Sequence, residues 1–155
     1  MKVALLCLGK TNKSYVMEGL REFEKRLSRY CKFERIELKD VKAHSDPVTI
    51  KNLEFERISD KISDKDYLIL LDEKGEEMDS RNFAKSLTHP RVQSAQRLVF
   101  VVAGAYGASD SLKSRADKSL SLSKMTYSHQ LIRLVFEEQL YRAFSILNKH
   151  PYHND

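Results

Sequence analysis

Five consecutive apolar residues, Leu98-Val99-Phe100-Val101-Val102, and a second run, Leu68-Ile69-Leu70-Leu71, constrain this chain more than anything else in it. A strand on a half-solvated sheet alternates apolar with polar side chains, whereas unbroken apolar runs need cover on both faces. Between such runs the sequence changes period. Ser14 to Ser28 repeats Val16, Leu20, Phe23 and Leu27 at helical spacing. Asp46-Pro47 is a cap followed by a first-turn proline, opening a helix to about Ser59. Asp79 or Ser80 caps another to about Leu87, Ser109-Asp110 starts a short one, and Gln130 to Asn148 predicts the longest. Strands are expected at Lys2 to Leu8, Lys32 to Leu38, Asp66 to Leu71, Arg97 to Ala103 and, as a small fifth, Lys118 to Leu122. Strand and helix alternate throughout, which predicts an α/β fold with a mostly parallel sheet.

The chain has 155 residues, enough for one domain with a real core, and no repeat, low-complexity tract or linker divides it. A single domain over 1–155 is expected. No apolar stretch approaches the ~18 residues of a membrane span, and the apolar run that opens the chain is too short for a signal sequence. Cys7 and Cys31 each lie in an apolar segment, as buried thiols of a reducing cytoplasm do. Lys and Arg number 27 against 22 Asp and Glu, a net charge of +5. It is unevenly spread: residues 1–45 hold 11 basic and 6 acidic residues, 46–110 hold 9 and 12, and 111–155 hold 7 and 4. Basic ends around an acidic middle suit a nucleic-acid partner, although solvated lysines on a mildly basic enzyme give the same count.

In parallel α/β sheets ligands sit beyond the carboxyl ends of the strands, which directs attention to four segments. Leu71-Asp72-Glu73-Lys74-Gly75-Glu76 follows the third strand; Asp72 could bind a ribose or amino group, or the stretch is a polar turn with Gly75 left-handed. Val102 to Ser109 holds Gly104 and Gly107, which let backbone approach a ligand, but it is neither G-x-G-x-x-G nor a Walker loop. Ser119 to His129 alternates Ser with Leu and leads into the last helix, either around a planar base or as a strand and a Ser-capped helix start. The last helix is apolar on more than one face, which marks a central helix or an oligomer interface. The tail His150-Pro151-Tyr152-His153 lacks the further Cys or His ligands that a metal needs. His44 and His89 lie in polar, turn-like segments and read as surface residues.

Ala103-Gly104, Ser119-Leu-Ser-Leu-Ser, His129, Arg133, Glu138, Leu140-Tyr141-Arg142-Ala143 and His150-Pro151-Tyr152-His153 together resemble the bacterial ribosomal large-subunit methyltransferases that modify a pseudouridine, of the SPOUT class. The resemblance spans the chain, and the tail motif is its most specific part. It implies helices on both faces of the parallel sheet and a C-terminal part threaded into a trefoil knot, a rare exception to ordinary chain rules. It also implies a cytoplasmic homodimer, S-adenosylmethionine as methyl donor, no metal, and 23S rRNA in the ribosome as substrate. The donor pocket carried over is Leu71, Gly104, Ser123, Lys124, Met125, Thr126, Tyr127 and Ser128. The sequence departs at Ala103 and Ala105-Tyr106, where many relatives have Gly and Pro-Glu, and at Tyr127-Ser128, where Leu-Pro is common.

The implied reaction is methyl transfer to N3 of pseudouridine, an imide nitrogen that must lose its proton. The resemblance points to His153 for this, with Tyr152 and Arg142 holding the base or backbone, and to His129 at the entrance to the last helix. As plain structure, His129 would only order a helix start, and Arg142 would only pair with Glu138. Two other classes stay open: a noncatalytic ribosome- or RNA-binding factor with the same fold, and a small α/β nucleotide-binding regulator.

Overall fold

In the computed structural model, residues 1–41 and 46–154 are described. The reading of His44 as a surface residue falls outside them. The elements run β1 (Lys2–Leu8), α1 (Ser14–Leu27), β2 (Lys32–Leu38), α2 (Pro47–Ser59), β3 (Tyr67–Glu77), α3 (Ser80–Ser86), α4 (Pro90–Ser94), β4 (Leu98–Val102), α5 (Asp110–Arg115), β5 (Lys118–Ser121) and α6 (Leu131–Leu147). All five strands are parallel and ordered β2-β1-β4-β3-β5.

The two unbroken apolar runs occupy the middle of this sheet. β4 lies between β1 and β3, and its five residues are all buried. Its alternate side chains feed two cores. Leu98, Phe100 and Val102 join Val3, Leu5, Cys7, Phe83, Phe136, Leu140 and Phe144 on the face covered by α1, α3 and α6. Val99 and Val101 join Ala4, Leu6, Leu68, Leu70, Ile58 and Leu112 on the face covered by α2 and α5. Helices on both faces are therefore what the apolar strands require. Among the described residues, no helix is long and apolar enough to cross a membrane.

The helix starts follow their capping chemistry. Asp46 accepts from the Thr49 N–H, Asp79 from the Asn82 N–H and Ser109 from the Leu112 N–H. One further element has no apolar period to mark it: Pro90 opens the short α4 behind His89, whose exposed ring Nδ1 accepts from the Arg91 N–H.

β3 corrects an expectation. It does not stop at Leu71 but continues to Glu77, with a register irregularity against β5 between Leu71 and Glu76. Gly75 is consequently not a left-handed turn residue; the glycines with positive φ are Gly9 and Gly107. Gly75 is required for another reason, since a Cβ there would lie 2.7 Å from the Leu120 backbone.

Candidate active site

At the carboxyl edge, the segments after β3, β4 and β5 converge on a cleft of about 670 Å³. Leu71, Asp72, Glu73 and Lys74 form one wall, residues 102–108 a second, and Leu120, Leu122, Ser123 and residues 125–129 a third. Ile132 from the first turn of α6 and Lys51 of α2 also line the cleft.

Local chemistry fixes each wall. Asp72 accepts the Lys74 N–H at 2.9 Å, so its carboxylate shapes the chain where the β3–β5 register shifts. In the β4 wall Gly107 has φ +78 and donates its N–H to the Gly104 carbonyl at 3.0 Å, a tight turn that suits glycine. The third wall is a chain of short-range bonds. Ser121 Oγ donates to the Ser123 carbonyl, Ser123 Oγ accepts the Met125 N–H, and Ser128 Oγ accepts the Leu131 N–H. Thr126 Oγ1 donates to Glu73 Oε2 at 2.5 Å and so links the first wall to the third. Tyr106 and Met125, 54% and 77% exposed, leave apolar surface at the mouth.

Behind the second wall stands Glu54, a side chain that sequence reasoning missed. It is 8% exposed, accepts the Gly104 N–H, and occupies the place a Cβ at Gly104 would need. Burial, reinforced by the nearby Asp40, pushes its carboxyl above the usual range. A signal existed: Glu54 sits at the i+4 position between Ile50 and Ile58, a carboxylate inside an apolar stripe.

Of the residues carried over for a donor pocket, Leu71, Gly104, Ser123, Met125, Thr126, Tyr127 and Ser128 line this cleft, and so does His129. Lys124 does not; it is exposed, with Nζ 4.0 Å from Glu77. The other three residues form a separate cluster on α6 and the tail. Arg142 Nη2 and Tyr152 Oη both donate to Glu138 Oε1, at 2.5 and 3.0 Å. The Arg142 guanidinium lies 4.7 Å from the Tyr152 ring centroid, and its Nη1 stands 3.4 Å from His153 Nδ1. Burial and the bond to Glu138 raise the Tyr152 phenol, so it stays protonated. Because Arg only donates, His153 Nδ1 is the acceptor in that contact. At ~1.5 Å rise per residue, Arg142 is about 15 Å along α6 from Ile132 at the cleft. One chain therefore holds two clusters, with His129 in the first and Arg142, Tyr152 and His153 in the second. Among the described residues, no group of three or more His, Cys, Asp or Glu is placed to hold a metal ion.

Fold and site together define an open parallel α/β protein with a cleft where the loops of three strands meet. A family model described as "Predicted SPOUT methyltransferase" matches residues 1–153. The chain is 43% identical to the ribosomal RNA large subunit methyltransferase H of Parabacteroides distasonis, with both chains covered completely. It is likewise 43% identical to that of Syntrophotalea carbinolica and 40% identical to that of Streptococcus pneumoniae, with 99% of each chain covered. The chain belongs to the SPOUT methyltransferase family.

Proposed function

We propose that this protein uses S-adenosylmethionine to methylate N3 of a pseudouridine in the 23S rRNA of the large ribosomal subunit, acting as a cytoplasmic homodimer. The observation that carries the reading is the cleft: its volume suits a nucleoside with an amino-acid tail, and the carried-over residues line it with the exception of Lys124. Gly104 lets the second wall pack directly on the buried Glu54, whose carboxylate fills the space a Cβ would need. Leu71, Gly104, Ser123 and residues 125–128 would hold the donor, which supplies a methyl group already activated for transfer. What remains for the chain is to align the acceptor nitrogen, exclude water and accept the imide proton. His129 stands at the cleft and is one candidate for the proton. His153, braced through Arg142 and Glu138, is the other, with Arg142 and Tyr152 directed at the base or backbone.

The separation of about 15 Å along α6 favours a homodimer in which the tail of one copy serves the cleft of the other. Leu131, Leu134, Val135 and Ile146 on α6 remain only partly buried in the single chain, as an interface helix would be. The threading of a trefoil knot is also part of this reading. β5 lies at the far edge of the sheet, yet α6, which follows it, packs back between α1 and α3.

The decisive assay is labelled methyl transfer to ribosomes from a strain lacking the modification. Incorporation at the pseudouridine is expected from the wild type, with losses of at least about a hundredfold for His153→Ala or His129→Ala, a size typical of acid–base groups. Wild-type rates in both variants would remove the imidazoles from the mechanism. Ribosome binding without any incorporation would favour a noncatalytic factor.

A further inference from the structure

The loop after β1, Gly9 to Lys13, contributes almost nothing to the core, yet two buried polar side chains hold it. Arg133 is fully buried and Gln130 is 6% exposed, both at the start of α6. Arg133 donates to the Leu8 carbonyl at 2.7 Å, the Gly9 carbonyl at 3.0 Å and Thr11 Oγ1 at 2.8 Å. Gln130 donates to the Lys10 carbonyl and accepts the Asn12 N–H, both at 3.0 Å. Burying a guanidinium is costly unless it is fully hydrogen-bonded, and here its bonds go to a surface loop. The Arg133 Nε also donates to the His129 carbonyl at 2.9 Å, so the loop and a cleft-lining residue are held by one side chain. What the loop presents outward is Lys10, Asn12 and Lys13, all exposed. Among the described residues, no carboxylate pairs with either lysine. The loop stands on the same sheet edge as the cleft, since β1 is the neighbour of β4.

We infer that Lys10 and Lys13 contact the phosphodiester backbone of the RNA strand next to the nucleotide in the cleft. The inference rests on the rRNA-methyltransferase reading above. A pair of cations on a loop whose backbone is held in register with His129 locates the strand through its charge and leaves base identity to the cleft. Fixing the loop beforehand lowers the ordering cost of binding.

The test compares Lys10→Glu/Lys13→Glu with a control of equal charge change at the opposite edge, Lys61→Glu/Lys65→Glu. In labelled methyl transfer to unmodified ribosomes, the loop variant should raise KM at least about tenfold with kcat within about twofold. The slope of log(kcat/KM) against log salt should become shallower by about one to two, as expected when two single-strand phosphate contacts are lost. Titration with S-adenosylmethionine should be unchanged. Lys10→Gln/Lys13→Gln gives the same direction should the reversal impair folding. An unchanged KM and salt slope, or an equal change in the control, overturns the inference while the methyltransferase reading stands. Absence of incorporation by the wild type removes that reading instead. The same salt series on equilibrium ribosome binding then decides the loop.

Discussion

Gly104 tolerates no side chain because the Glu54 carboxylate already occupies that space. Gly104→Ala should weaken S-adenosylmethionine binding at least about tenfold and lower stability, whereas adding Glu54→Ala should restore part of both. Calorimetric titration and thermal melting of the two variants measure this, and equal losses in both would show that the overlap with Glu54 is not the cause. Glu137 is the other decisive residue at this scale. It is fully buried, takes one bond from Arg35 at 2.8 Å, and leaves Oε2 without a partner. Arg35 is also shared with Glu24 and Glu37, so three carboxylates face Arg35 and Arg133. Burial pushes the Glu137 carboxyl up to about 8, although Arg35 opposes the shift. A carboxyl with an ordinary value of 4.5 unfolded and about 8 folded binds a proton on folding between those limits. Its contribution to stability is therefore greatest in acid, declines as pH rises from 4.5 to about 8, and is level above. Glu137→Gln should melt at an advantage over the wild type that grows between pH 5 and about pH 8 and then levels off; parallel melting curves would show that Glu137 is ionised throughout.

At the scale of the element, β3 depends on its pairing with β5. Gly75 sits where β3 passes the Leu120 backbone, so Gly75→Ala forces the β3–β5 pair apart. The variant should unfold at lower denaturant, by roughly 1–3 kcal/mol, the range of overpacked sites, with the Ser123–His129 wall perturbed. Urea titration and amide exchange at Leu120 would register both. Most elements were legible in the sequence because their signals are local: the apolar runs of β3 and β4, the Asp46-Pro47 start, the Ser109 cap. The extension of β3 was not, because Asp72-Glu73-Lys74-Gly75-Glu76 is polar and its strand geometry comes from pairing with β5, a tertiary effect. The cleft wall from Ser123 to Ser128 was legible through family resemblance alone, since its composition equally describes a capped helix start. Lys124 shows the limit of that route, lying beside Glu77 and off the cleft. Glu54 and Gln130 escaped notice because a side chain's use depends on what the fold places against it.

At the scale of the whole molecule, the two clusters set up a complementation test. Mixing His129→Ala with His153→Ala chains should restore activity if a cleft is completed by the tail of another copy, because some mixed dimers then carry one intact site. If each chain serves its own cleft, mixing restores nothing. Sedimentation should give twice the 18.0 kDa chain mass. The charge distribution acquires a geometry as well: the basic first 45 residues include Lys10 and Lys13 at the cleft edge, and the basic final third includes Arg142 near the tail. Cys7 lies in the middle of this architecture, fully buried in β1, and burial pushes its thiol up to about 12; Cys31 rises to about 11. Neither thiolate is populated at neutral pH, and Cys7 meets a reagent only when the sheet parts. Its alkylation rate in the native protein is thus a clock on opening of the central strands, and donor binding that spans the loops after β3, β4 and β5 should slow that clock.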